Sequence, residues 1–138
     1  MIKLQTACML VGRLLLGLYF ILPGLQKVFQ FDTMSQYMAK HGVPMISFLL
    51  VVTIVLQLAG GVAVIIGYKT RLAAFVLAGL TLVISLYMHS FWSLPEGSSV
   101  AHETQNFVKN MAIMAGLLVL AAQGAGAVSV DNRGKQAL

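Results

Sequence analysis

The chain of 138 residues is long enough for one domain and little more. Hydrophobic residues make up 59% of it and charged residues 9%; an ordinary soluble domain has roughly 45–50% and about 25%. With a mean hydropathy of +0.88, the chain lacks the polar surface to coat a water-facing globule, which points to the lipid bilayer. The net charge of +5 does not make it a nucleic-acid binder, because its nine Lys and Arg are scattered and no run reaches five. The lone Cys8 excludes an intramolecular disulfide, a CxxC redox pair and a thiolate metal cage.

The spacing of the charges predicts an all-α, polytopic membrane four-helix bundle, a single unit over 1–138, with spans near 6–27, 44–66, 72–92 and 107–128. Each has the roughly 20 apolar residues that a bilayer requires. The first span contains Arg13, which costs roughly 2.5–3.5 kcal/mol near mid-membrane. Seven leucines with Val11, Phe20 and Ile21 offset it at about 0.3–0.6 kcal/mol each. No small-x-small site follows this stretch, which argues against a cleaved signal peptide. No apolar run precedes Cys8, which argues against a lipoprotein anchor.

Between the first two spans, Asp32 is a good N-cap, and Met34, Tyr37, Met38 and His41 follow at i, i+3, i+4 and i+7. This predicts a short amphipathic helix on the membrane or in the bundle mouth, ended by Gly42 and Pro44. The tight basic link 67–71 makes spans two and three antiparallel neighbours. Tyr87, Phe91 and Trp92 form an aromatic belt at the end of span three. The tail from Ser129 is polar. Four spans put both termini on one side, with Lys3, Lys69, Arg71, Arg133 and Lys135; the other side carries Lys27, Lys40 and Lys109. The basic excess predicts cytoplasmic termini.

Hydrocarbon makes unpaired polar groups costly, so polar residues within the spans are the informative ones. At 1.5 Å per residue, Arg13 and Gln57 lie roughly 10 and 13 Å from the ends of their spans. With Thr81 and Gln123 they form an inner polar layer, in which the Gln57 carbonyl is expected to accept from the Arg13 guanidinium. That pairing either fixes helix packing or leaves a positive charge for a phosphate, a quinone oxygen or a backbone carbonyl. Gln26, Lys27, His89, Lys109 and Asn110 form an outer layer, with His41, Glu96, His102 and Glu103 around the mouth. A pocket built from Lys27, His89, Lys109 and Asn110 suits an anionic or quinone-like head group; the same residues facing lipid phosphates are the plainer alternative. The histidines and Glu103 have metal-ligand chemistry but no metal-site spacing, and no metal is assigned. Ala59-Gly60-Gly61-Ala63, Ala74/Ala78 and Ala112/Gly116 are expected to let helices approach closely.

The segments GRLLLGLYFILPGLQKV (12–28), LQLAGGVAVIIGYKTRLAA (56–74), HSFW (89–92) and NFVKNMAIMAGLLVL (106–120) resemble the DoxX family in order and spacing, over nearly the whole chain. The resemblance implies a small four-helix protein of the bacterial inner membrane, with relatives associated with a terminal oxidase, with thiosulfate:quinone oxidation and with thiol-stress redox complexes. The family's recurring polar positions fall on Arg13, Lys27, His89, Lys109 and Asn110. Two positions depart from the family pattern. Gln57 stands where a glutamate is common, and Ser90 replaces the aspartate of a His-Asp-Phe-Trp pattern. The function expected is that of an accessory of a membrane redox system binding a quinone or lipid-like molecule in the bundle. The alternatives are a non-enzymatic scaffold or assembly subunit of a membrane complex and a small-molecule transporter. Membrane lipids and a membrane-protein partner or a second copy of the chain are the expected partners. No self-contained redox motif is present.

Overall fold

The computed structural model describes residues 3–95 and 99–136. Glu96 therefore lies outside the described residues. Helix α1 spans Leu4–Phe29, α2 Phe31–Lys40, α3 Ile46–Ile66, α4 Thr70–Met88, α5 Val100–Gln123 and α6 Val130–Gln136, with a single 3-10 turn at Phe91–Ser93. No strand occurs among the described residues. Four of the helices, α1, α3, α4 with its following turn, and α5, are long and apolar enough to cross a membrane. α1 packs chiefly on α3 and α4 on α5, and α3 against α4 joins the two pairs. The start of α1 and the segment leading into α6 share one end of the bundle, here the terminal end; α2 and the Phe91–Ser93 turn lie at the other, the loop end.

Small residues set the distances. A Cβ on Gly17 would fall 2.6 Å from the Gly61 carbonyl oxygen, and one on Gly61 would fall 2.8 Å from that of Gly17. α1 and α3 thus touch backbone to backbone. The adjacent Gly60 faces Leu77 of α4, 3.0 Å from the position of its missing Cβ, so consecutive glycines serve consecutive neighbours. Ala74 and Ala78 are buried with Phe20, Val64, Leu77, Leu117 and Leu120. Ala112 and Gly116 do not follow the expectation. Ala112 is exposed, and a Cβ on Gly116 would meet nothing within 4 Å. The outer faces present Leu15, Leu22, Phe48, Val55, Phe75 and Val119, the surface that lipid requires and water would penalise.

The helix bounds depart from expectation where polar chemistry overrides hydropathy. α5 begins seven residues before 107 and stops at Gln123 instead of reaching 128. The stop is made by Gly124 (φ 85°) and Gly126 (φ 82°), left-handed conformations that glycine tolerates. Arg71 then donates to the freed carbonyls of Ala121, Ala122 and Gln123, placing a cation at the negative end of the helix. α4 ends at Met88, with His89 as its cap, short of the expected 92. The amphipathic helix forms as α2, tucked into the mouth with Met38 buried, but Asp32 sits in its first turn and makes no cap hydrogen bond. The polar tail holds α6, which the sequence reading leaves out.

Candidate functional site

The two polar layers resolve into different objects. At the terminal end, Arg13 is only 2% exposed. Its Nε donates to the Val64 carbonyl (3.0 Å), Nη2 to Ile65 (2.6 Å), and Nη1 to Ala125 and Val128 (2.7 Å each). Four of the five guanidinium protons have backbone acceptors, two of them in the last turn of α3, where the helix dipole favours a cation. Gly67 (φ 76°) makes room: a Cβ there would lie 3.0 Å from Nη2. The expected Arg13–Gln57 pairing does not form. Equal distances from the helix ends imply equal depth only when the ends are level, and here they are not. Gly17, more than three turns into α1, meets Gly61, little more than one turn from the end of α3. The first turns of α1 overhang, and Arg13 meets the end of α3, not its middle. Gln123 likewise leaves the expected inner layer; it is exposed at the end of α5.

The tail closes this end. The Asp131 N–H donates to the Gly67 carbonyl (2.8 Å). Its carboxylate accepts from the Lys69 and Thr70 amides at 2.6 and 2.9 Å, capping α4 from outside. Desolvation acts to raise the Asp131 pKa, but the Thr70 and Lys69 hydrogen bonds and the Arg13 charge outweigh it and hold the carboxyl below its ordinary value.

Toward the loop end, a cavity of about 310 Å³ opens between α1, α3, α4 and α5. Lys27, His89, Lys109 and Asn110, the four residues expected to build a site, all line it, and so do Gln57 and Thr81. Gln57 is thus separated from Arg13 and joined to the outer layer. It is 4% exposed, and its Oε1 has no hydrogen-bond partner among the described residues. Such a group costs about 1–3 kcal/mol, so it marks a position that wants a donor. Neither Lys27 nor Lys109 has an acidic partner among the described residues. Lys109 Nζ stands 6.0 Å from the Tyr19 ring centroid, within reach of a cation–π attraction.

Some lining residues are already engaged. The Tyr19 hydroxyl donates to Asn110 Oδ1 (2.8 Å), Asn110 Nδ2 donates to Ser85 Oγ (3.1 Å), and Ser85 Oγ donates to the Thr81 carbonyl (2.7 Å). This chain ties α1, α5 and α4 together. Asn110 is therefore a cross-link as well as a wall residue. His89 Nδ1 lies 2.6 Å from Glu103 Oε2, a hydrogen bond in which Nδ1 donates when Glu103 is a carboxylate. Glu103 belongs to a second, smaller cleft of about 230 Å³, lined by Tyr37, His41, Met88, Ser90, Leu94 and Ser99 as well. Burial, and then the Glu103 charge, push the Tyr37 hydroxyl above its ordinary value. Gln26 is exposed and its side chain bonds to that of Gln30; His102 is exposed on α5. Among the described residues no three His, Cys, Asp or Glu side chains are grouped to hold a metal ion.

Tyr19, Pro23 and Asn106 also line the cavity and escape the sequence reading. The signal was present for the first two. Tyr19, Pro23 and Lys27 recur every four residues, which puts them on one face of α1. Pro23 moreover has no N–H to give the Tyr19 carbonyl. Alongside the cavity runs an apolar groove of about 160 Å³ between α2, α3 and α4, lined by Met34, Met38, Leu50, Val83 and Tyr87 among others. Cavity and groove share Lys27 and Ile84 as walls.

A model of the DoxX family matches residues 8–90. The chain belongs to the DoxX family. It is 37% identical over 130 residues to inner membrane protein YqjF of Escherichia coli K12, covering 94% of each chain. It is 33% identical over 129 residues to inner membrane protein YphA of the same organism, covering 94% of this chain and 91% of the relative. A partial likeness, 32% over 76 residues, extends to a Drosophila melanogaster Surfeit locus protein 4 homolog, of which 28% is covered. No solved structure matches. This DoxX protein, with four apolar spans and such relatives, is a multi-pass membrane protein.

Proposed function

We propose that the loop-end cavity binds the oxygen-bearing head group of a quinone-like lipid, and that the protein serves as an accessory of a membrane redox system in the bacterial inner membrane, with its termini in the cytoplasm. The single observation that carries the reading is the Oε1 of buried Gln57, unpartnered among the described residues, in a cavity that also holds two lysines with no acidic partner among them. A dihydroxy-ring suits both ends. A hydroxyl at one edge donates to Gln57, and an oxygen at the other accepts from Lys27 or Lys109. The adjoining apolar groove, which meets the cavity at Lys27 and Ile84, suits the tail of the same molecule. The redox assignment rests on the family resemblance alone.

Calorimetric titration of the purified protein in detergent with a decyl-tailed benzoquinol tests the binding. The expected result is saturable one-to-one binding, weakened about tenfold (about 1.4 kcal/mol) in the double variant Lys27→Gln, Lys109→Gln. Absence of saturation would defeat the reading.

A further inference from the structure

His89 is the wall between two compartments. Its ring lines the polar cavity, and its Nδ1 is bonded at 2.6 Å to Glu103, which lines the separate loop-end cleft. Glu103 does not line the cavity, nor does His89 line the cleft. A carboxylate on one side of an imidazole and a ligand space on the other is an arrangement that can pass a proton. We infer that Glu103 and His89 form a proton path joining the loop-end surface to the cavity, so that a ligand held there exchanges its hydroxyl proton with that side of the membrane alone. The inference rests on the cavity being a ligand site, as proposed above, and it narrows the ligand to one with a titrating hydroxyl, such as a quinol.

Nε2 of neutral His89 takes the proton of the ligand O–H. Nδ1 gives its own proton to Glu103 Oε2, and Glu103 gives it to water in the cleft. The ligand oxygen keeps the bonding electron pair as an anion, beside Lys27 and Lys109. The ring then carries its proton on Nε2, and the reverse relay, in which Glu103 returns a proton from the cleft to Nδ1 and Nε2 gives its own back to the ligand oxygen, restores the starting arrangement and completes the exchange. No oxidant is needed, because only a proton moves. The charged and titratable groups around the pair are Tyr19 and Lys27 from α1, Tyr37 and His41 from α2, and Lys109 from α5; the α3 wall of the cavity contributes only the neutral Gln57. Lys27 and Lys109 favour the anionic ligand. Glu103 acts through His89 and is a positioning residue. Arg13, bonded to backbone at the opposite end, belongs to no such route.

Two measurements on the full-length protein decide the matter. In vesicles holding different pH on their two sides, the ¹⁵N resonances of His89, assigned by loss in His89→Gln, are expected to follow the pH on the loop side. Glu103→Gln should remove that dependence and scramble the tautomer, while Glu103→Asp should restore it in part. Calorimetry in buffers of different ionisation enthalpy is expected to find about one proton released per decyl-tailed benzoquinol bound, and none in Glu103→Gln, which should still bind the oxidised quinone as the unaltered protein does. Resonances that track the terminal side, or are unchanged in Glu103→Gln, would overturn the path. If neither quinol nor quinone binds, the proposed ligand class fails, and the vesicle measurement alone decides whether the path exists.

Discussion

The terminal and loop ends of the bundle carry similar residue types and use them in opposite ways. Arg13 at the terminal end is buried and meets four carbonyls. Lys27 and Lys109 at the loop end face a cavity with no acid to pair with among the described residues. At one end the protein supplies four backbone acceptors to the buried charge and closes over it with the tail that returns to Gly67 and Thr70, leaving only the small Thr70 hydroxyl without a partner among the described residues. At the other it leaves Gln57 Oε1 without one. A polar residue in a membrane protein is thus read by whether the fold satisfies it. A satisfied one is a fastener, and an unsatisfied one is a candidate site.

The comparison breaks most severely at Arg13. Replacing it with Met leaves the Val64, Ile65, Ala125 and Val128 carbonyls without their shared donor and frees the tail. The expected loss is about 3–5 kcal/mol, the scale of breaking a buried charged network, read as a large fall in the thermal unfolding midpoint in detergent. Arg13→Lys should recover only part of it, since an ammonium has three donors and no planar fork. Ligand affinity at the loop end should be far less affected in whatever fraction remains folded.

Asn110 sharpens the contrast, because it is the loop end's own fastener. Asn110→Leu removes the acceptor of the Tyr19 hydroxyl and a donor to Ser85 Oγ. A loss of about 1–2 kcal/mol is expected, with a smaller fall in midpoint than Arg13→Met. Gln57→Leu should go the other way. It deletes an acceptor that nothing among the described residues uses, so stability should hold or rise by up to about 1 kcal/mol, while affinity for the quinol probe falls roughly tenfold. A Gln57→Leu protein that is clearly destabilised would show that the amide is structural after all.

The fold was legible because hydropathy and charge spacing act locally. Four apolar stretches bounded by Lys27, Lys69, Arg71 and Lys109 had to be spans, and the period of Met34, Tyr37, Met38 and His41 had to be an amphipathic helix. The gathering of Lys27, His89, Lys109 and Asn110 was legible too, from their shared depth. What escaped was register. The Gly17–Gly61 contact decides that Arg13 meets the end of α3 and that Gln57 faces the cavity, and nothing within either helix announces that pairing. The returning tail escaped for the same reason. Gly124 and Gly126 could be seen to break α5, but Asp131 capping α4 across 61 residues is a tertiary event. The His89–Glu103 bond joins residues 14 apart across a bend, where no helical spacing applies.

The smallest effect expected is at the tail, and it distinguishes the closed end by pH. The Asp131 carboxyl titrates below its ordinary value because the charged form holds the Lys69 and Thr70 amides. A group with a depressed native pKa adds stability above its unfolded pKa and loses that contribution as pH falls through the native one. Docking of the tail should therefore be unaffected near neutrality and weaken only below about pH 4, the ordinary aspartate value. Amide hydrogen exchange at Lys69 and Thr70 reads this directly, as protection lost on acidification. Asp131→Asn keeps an acceptor oxygen but no charge, so its protection should be lower at neutral pH and insensitive to acid. Protection in the unaltered protein that persists well below pH 4 would mean that the carboxylate is not what holds the tail, and that the Asp131 N–H to Gly67 bond and the Arg13 contacts with Ala125 and Val128 suffice to close the terminal end.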